Sequence, residues 1–442
     1  MNRFVFIVAV FISLPCTLQS QDSSVIGLPD QWRLEDCISY AKKKNITLAT
    51  LRLTTNSTEE DLLQAKAGIL PNLTGSASQT LANGKSSSAG TVQSQTNFSG
   101  SYGVNSSMTL YNGGYLKNDI RLKQFSVQSA NLYVQEAEND LTLSITQAFF
   151  NILLAKETMA SFESLLATAE AQLTQGRQKY DAGSIARKDL LLLESQVATD
   201  RYNLINATNA FKQNTVTLKQ YLLLPSSYEL IVSAPATIPV QVALASLPEA
   251  QREAQQTRPE VKNKEVQIKI SETELEKVKA SVKPIISAGA ALSTGYGTNQ
   301  GTVFTSQIGN NFYQTLGVTM GVPIYSRRVN RSSINRSRIQ LKQTQLALFE
   351  TKTVLNQQVE QAYLNLLNAQ SEYSAAAIQF KANEEVYNIA NEQLKLGAIN
   401  TLELLQQKNA YVQAMQALTQ AKYRAALYNK LYAFYMGIPV TF

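Results

Sequence analysis

Between Leu141 and Tyr180 apolar residues recur at alternating steps of four and three: Leu141, Ile145, Ala148, Ile152, Ala155, Met159, Phe162, Leu166, Ala169 and Leu173. That is a heptad seam, and it predicts a long helix wound against partners. No proline interrupts residues 116–180. A helix from Tyr115 to Tyr180 rises about 1.5 Å per residue and spans roughly 100 Å, far more than a compact domain.

The pattern returns later in the chain. Adding 214 to each number gives Leu355, Val359, Ala362, Leu366, Ala369, Tyr373, Ala376, Phe380, Asn383 and Tyr387, where only Asn383 departs from it. Gln147-Ala148-Phe149 likewise answers to Gln361-Ala362-Tyr363, and Leu110-Tyr111 to Ile324-Tyr325. The chain therefore reads as a duplication, with a first repeat over 21–224, a connecting segment over 225–246 and a second repeat over 247–442.

Each repeat opens with a broken helix. The first runs from Leu34 to Gly68 with a break near Asn45 and a stop at Pro71; the second breaks at Pro259 and stops at Pro284, 213 residues after Pro71. The period then changes from 3.6 to 2. Tyr102, Val104, Met108 and Leu110 alternate with polar or small residues, as do Leu316, Val318, Met320, Val322 and Ile324, with partner strands over Leu73–Leu81 and Ile285–Thr294. The polar stretches Asn83–Asn97 and Gly297–Asn310 read as hairpin loops. Strands of this length fit either a tilted membrane strand or a soluble sheet with one buried face. Four strands cannot close a barrel, and lipid does not tolerate open edges, so a membrane location requires oligomerisation.

Both long helices end at similar turns, Tyr180-Asp181-Ala182-Gly183-Ser184 and Leu394-Lys395-Leu396-Gly397-Ala398. Gly183 and Gly397 suit left-handed caps, and Ser184 and Asn400 are candidates to start the returning helices. Those returning helices carry a seam of their own through Leu190, Leu193, Val197, Leu204, Ala207, Phe211 and Leu218, with Asp200 and Asn214 as polar interruptions. A small strand is expected at Leu230–Val232 in the connecting segment.

Composition narrows the chemistry. The 442 residues carry a formal charge of +7, but Lys and Arg are interleaved with Asp and Glu along helices, so a solvated helical surface is expected rather than nucleic-acid binding. The absence of histidine and the presence of only two cysteines, Cys16 and Cys37, leave no visible nucleophile, base or metal cluster. No enzyme activity, cofactor or metal is expected. Gly84-Lys85-Ser86 ends like a phosphate loop but lacks its first glycine, since position 79 is Gln79. Residues 1–20 read as a signal peptide, with Arg3 before the apolar run Phe4–Ile12 and cleavage near Gln21. Leu14-Pro15 is a poor setting for lipidation of Cys16. Arg327, Arg328, Arg331, Arg336 and Arg338 cluster just after the last strand, where they fit lipid headgroups, a water-filled lumen or an ordinary helix surface.

An exported chain built twice in this order resembles the TolC-like outer-membrane efflux factors of diderm bacteria. Its most specific residues are Ala65-Lys66-Ala67 with Leu70-Pro71-Asn72, Leu110-Tyr111-Asn112-Gly113-Gly114, and the tip motif Gly183 with Asp189-Leu190-Leu191, repeated as Gly397 with Glu403-Leu404-Leu405. The resemblance implies a mainly α fold with a β-barrel portion: long antiparallel coiled-coil helices in two tandem repeats, and four transmembrane β-strands per chain that form a twelve-stranded barrel in a homotrimer. It implies a passive exit duct in the outer membrane, its helices extending into the periplasm, working with a periplasmic adaptor and an inner-membrane transporter. Glu403 then falls where a pore constriction is expected, with Gln406 neutral where a second acidic ring would lie. Gly183, Ser184, Arg187, Lys188, Gly397 and Asn400 fall at adaptor-docking tips. For Glu403 the alternative is a solvated carboxylate at a helix start. For the whole chain it is an exported coiled-coil scaffold or adhesin without a channel.

Overall fold

The computed structural model describes residues 29–88, 91–234, 245–298 and 301–441. The expected signal peptide, its cleavage point and Cys16 lie outside the described residues. The chain runs α1 (Leu34–Lys44), α2 (Ile46–Ala67), β1 (Asn72–Ser88), β2 (Thr91–Tyr111), α3 (Tyr115–Asp181), α4 (Arg187–Leu222), α5 (Leu247–Thr257), α6 (Pro259–Lys279), β3 (Ile285–Gly297), α7 (Phe304–Asn310), β4 (Tyr313–Gly321), α8 (Val329–Lys395) and α9 (Thr401–Tyr435). Each of α3 and α8 has 67 residues, and they begin 214 positions apart, as their sequences do.

The breaks in the opening helices have local causes. Asn45 ends α1 in an extended conformation and its side chain accepts the amide of Leu48 at 3.1 Å, capping α2. Pro259 occupies the first turn of α6, where no helical partner is needed for its missing N–H. Lys283 is extended before Pro284, after a short 3-10 turn over Ala280–Val282.

Most positions of both seams are buried, while Met159, Leu166, Leu173, Tyr373 and Phe380 are half-buried. Leu141, Ile145, Ala148, Ile152, Ala155, Phe162 and Ala169 are buried on α3, and Leu355, Val359, Ala362, Leu366, Ala369 and Ala376 on α8. Each long helix packs along its returning helix, α3 on α4 and α8 on α9. The densest core sits at mid-height, where Trp32, Leu34, Phe149, Phe150, Leu218, Leu222 and Leu427 meet. Trp32 donates from Nε1 to the Tyr228 hydroxyl at 2.9 Å. A second core joins α5, α6, α8 and α9 through Ala250, Val261, Leu355, Val359 and Tyr432. In place of the strand expected at Leu230–Val232 there is one parallel bridge, Val232 to Trp32, because the next residue, Arg33, already caps α1 with its amide on the Asp36 side chain.

The sheet is antiparallel in the order β1-β2-β3-β4. Its register aligns Leu73, Val104, Met108, Ile286, Leu292, Leu316, Val318 and Met320 on one face, and Thr74, Ser76, Ser101, Asn105, Ser107, Ser287, Ser293, Thr315 and Thr319 on the other. Both expected hairpin loops are corrected. Strands β1 and β2 continue through the polar stretch to Ser88 and Thr91, since ladder hydrogen bonds need backbone, not apolar side chains. The second stretch contains α7, held to β3 by Gln307, which accepts the Gly297 amide at 2.7 Å and donates to the Thr302 carbonyl at 2.6 Å. Next to the sheet a layer of helices keeps the same plan: α2 packs on α3, α3 on α6, and α6 on α8.

Candidate functional site

Two regions are built for more than packing: the far ends of the helical hairpins and the two-faced sheet. At the first tip Gly183 is left-handed (φ 72°), the Gly183 amide bonds the Tyr180 carbonyl at 2.9 Å and the Ser184 amide bonds Lys179 at 2.7 Å. At the second tip Gly397 (φ 75°) and Ala398 repeat the motif on Leu394 and Gln393. This double bond closes the last turn only with a left-handed residue at the cap, which glycine adopts without strain.

The restarts differ. Asn400 caps α9, accepting the Glu403 amide at 2.9 Å. Ser184 does not cap α4, which begins at Arg187 after an extended Ala186; its amide is consumed by the preceding cap and its hydroxyl lies too early in the chain to reach the new helix. Ser184, Arg187, Lys188, Gly397 and Asn400 are all exposed. Glu403 and Gln406 are exposed and one turn apart on α9. The Glu403 carboxylate stands in the first turn of that helix, where the amide dipoles favour negative charge.

Just above the tips the chain holds an ion pair that periodicity marked only as an interruption. Lys408 on α9 donates to Asp200 Oδ2 on α4 at 2.6 Å, with side chains 0% and 3% exposed. Gln196 donates to the other Asp200 oxygen at 2.9 Å. Buried apolar clusters lie on the same hairpins: Phe162, Leu165 and Ala207 between α3 and α4, and Leu404 and Tyr387 between α8 and α9. Tyr387 stacks on Tyr411 with ring centroids 5.1 Å apart, and burial pushes its hydroxyl above the usual tyrosine range. The pair therefore clasps the two hairpins, since α4 and α9 belong to different ones. A lysine at a seam position was the available signal. Its partner, 208 residues away, could not be paired with it by period alone. Higher up, Glu157 on α3 accepts from Lys422 at 2.8 Å and Tyr423 at 2.6 Å on α9, a second link between hairpins.

At the strand-to-helix junctions Gly113 and Gly114 have φ of 68° and 91°. The positions 214 further on are Arg327 and Arg328, left-handed at 46° and 69° and exposed. For residues with a Cβ that backbone costs about 1 kcal/mol or more each.

The sheet's apolar face is uncovered: Leu73, Leu316 and Val318 are 76%, 84% and 67% exposed. Contiguous exposure on that scale marks a surface that meets lipid or another apolar surface. Among the described residues no helix is long and apolar enough to cross a membrane, so strands are the elements that can. A sheet with one lipid-type face and one wet face, carried on helical hairpins about 100 Å long, defines a membrane protein that inserts by strands.

The particular family follows. The chain belongs to the outer membrane efflux protein family, whose model matches residues 37–222 and 250–432. It is similar to the outer membrane efflux protein BepC of Brucella suis biovar 1 (strain 1330), 21% identical over 394 residues covering 88% of this chain and 82% of that one. It is also similar to the outer membrane protein TolC of Escherichia coli (strain K12), 22% identical over 192 residues covering 42% and 39%. Among solved structures the fold matches CusC with a TM-score of 0.80 at 18% identity, covering 92% of both chains. The Campylobacter jejuni CmeC outer membrane channel matches at 0.75 and 16%, covering 91% and 85%. The protein is thus an outer-membrane efflux protein whose helices extend into the periplasm.

Proposed function

We propose that three copies of this chain close into a passive exit duct of a tripartite efflux or type I secretion system. One observation carries this: among the described residues β1 and β4 end the sheet with unpaired edges, and beside them α2 and α8 end the helical layer in the same order. A membrane sheet cannot keep open edges. Three sheets of four strands supply a twelve-stranded ring, wide enough for an aqueous lumen lined by the serine- and threonine-rich face. The uncovered apolar face argues against an exported scaffold or adhesin, which would leave it in water.

The equal lengths of α3 and α8, and the two separate stretches matched by the family model, support a duplication with repeats over 21–224 and 247–442 after a signal peptide over 1–20, joined by 225–246. Energy and cargo choice then come from an inner-membrane transporter, and the tips at Gly183, Ser184, Arg187, Lys188, Gly397 and Asn400 meet a periplasmic adaptor. Glu403 forms the constriction, three carboxylates around the axis with Gln406 neutral beside them. The chain needs no cofactor for this role. Purified protein in mild detergent is expected to have the mass of three chains by native mass spectrometry, and to stay with membranes through an alkaline wash. A detergent-stable monomer, or release into the wash, overturns the proposal.

A further inference from the structure

The two free helical edges carry opposite charge. In the amino-acid sequence no Asp or Glu occurs between Glu276 and Glu350, so α8 leaves the membrane region with Arg331, Arg336, Arg338 and Lys342 and no acidic residue. On α2 the acidic run Glu59-Glu60-Asp61 stands at the height of Arg331, Arg336 and Arg338, since all of these lie within about ten residues of the helix end nearest the sheet. Asp61 is taken by Lys123 of α3 at 2.8 Å. Glu59, Glu60, Arg331 and Arg338 are exposed and make no ion pair among the described residues.

The chain also contains a template for how these edges meet. In the layer α2-α3-α6-α8, the seam between α3 and α6 joins the two halves as α8 of one copy would join α2 of the next. On α3 that seam uses Phe125, Ser129 and Leu132, and Ser129 donates to Asn263 of α6 at 2.7 Å. On α6 it uses Asn263, Val266 and Thr273, all buried. Moving 214 along α8 gives Ile339, Gln343 and Leu346, and moving back 213 gives Thr50, Leu53 and Glu60. Every one is exposed. Leu132 is 9% exposed against 69% for Leu346, and Val266 is 3% against 67% for Leu53. Arg121 and Phe125 share a groove with Glu272, Thr273 and Glu276; the corresponding groove joins Asn335 and Ile339 to Glu59, Glu60 and Leu63. Arg331 and Arg338 lie one turn either side of Asn335.

We infer that α8 of one copy docks on α2 of the next along this register, with Leu346 and Leu53 buried in the seam and Arg331 and Arg338 paired with Glu59 and Glu60. The inference rests on the trimeric reading above and adds what sets its register. Both seams carry charge: within the chain Asp119 of α3 holds Lys277 of α6 at 3.0 Å and Arg121 of α3 shares a groove with Glu272 and Glu276, whereas α8 offers only base along the same stretch. A shifted register therefore leaves charges unpaired.

The test is a charge swap in the full-length protein, read as trimer fraction in mild detergent by native mass spectrometry, with helix content by circular dichroism as control. Glu59→Lys with Glu60→Lys, and separately Arg331→Glu with Arg338→Glu, place like charges at every seam and are expected to weaken each seam about tenfold or more. All four changes together restore opposite charges and the trimer. A second reading is a covalent ladder to trimer from Glu60→Cys combined with Asn335→Cys. The inference fails if either swap leaves the trimer intact, if the fourfold variant is no better than the worse swap, or if the cysteine pair does not crosslink within a wild-type-like trimer. A monomeric wild-type protein instead overturns the trimeric reading itself.

Discussion

Replacing Lys408 by Met tests whether the buried pair above the tips holds the two hairpins together. The change removes the ammonium that lies 2.6 Å from Asp200 Oδ2 and leaves a carboxylate only 3% exposed with Gln196 as its remaining partner. Stripping one member from a buried pair costs about 3–5 kcal/mol, because the other charge stays desolvated without compensation. At about 1.4 kcal/mol per factor of ten, that is roughly a hundredfold to a few thousandfold in the closed-to-open balance of the clasp. Both partners are buried, so solvent screening does not reduce the figure. The double change Lys408→Met with Asp200→Leu removes both charges from a buried site, and is expected to be near neutral or stabilising. The assay is urea unfolding of the detergent-solubilised protein followed by helix signal, run as a double-mutant cycle, with amide hydrogen exchange of α4 and α9 alongside. In the single variant exchange rises in both helices, and single-channel conductance rises because the clasp lies about 17 Å above the Gly397 turn at 1.5 Å per residue. A cost under about 1 kcal/mol for Lys408→Met, or a double variant as weak as the single, refutes the reasoning.

Glu403→Gln is expected to lower cation preference in single-channel recordings, and unchanged selectivity returns Glu403 to the role of a helix-start carboxylate. Gly183→Val and Gly397→Val each strain a left-handed cap by about 1 kcal/mol or more; trimer on gels should persist while adaptor crosslinking and efflux fall, and full crosslinking with full efflux moves the docking surface away from the tips. Leu223 ends α4 in a left-handed conformation (φ 54°), at the position where Gly437 (φ 79°) ends α9, so Leu223→Gly is expected to raise the unfolding midpoint by the equivalent of about 0.5–1 kcal/mol. A lower midpoint would show that the Leu223 side chain contributes more than its backbone costs. Burial and the neighbouring Asp36 push the Cys37 thiol from 9.0 up to about 12. The folded state then keeps a proton that the unfolded chain releases above pH 9, so stability is full below pH 9 and falls as pH rises towards 12; Cys37→Ser should flatten that decline, and maleimide should label Cys37 only after unfolding.

Much of this architecture is written in one-dimensional patterns. The seams on α3 and α8, the breaks at Asn45 and Pro259, the left-handed turns at Gly183 and Gly397 and the 214-residue repeat need only period and local backbone preference, both properties of consecutive residues. Polar strands were not legible: Asn83–Ser88 and Thr91–Asn97 carry loop-type side chains yet pair as a ladder, because β2 supplies backbone partners to β1 regardless of side chain. Nor could Ser184 be separated from Asn400 as a cap, since the choice depends on where the next helix restarts. The Lys408–Asp200 clasp, the complementary edges of α2 and α8 and the alignment of Leu73, Val104, Met108, Leu292, Leu316 and Val318 on one face arise from which helix and strand lie side by side. Contacts between residues hundreds of positions apart are set by packing in three dimensions, and there the tertiary structure alone decided.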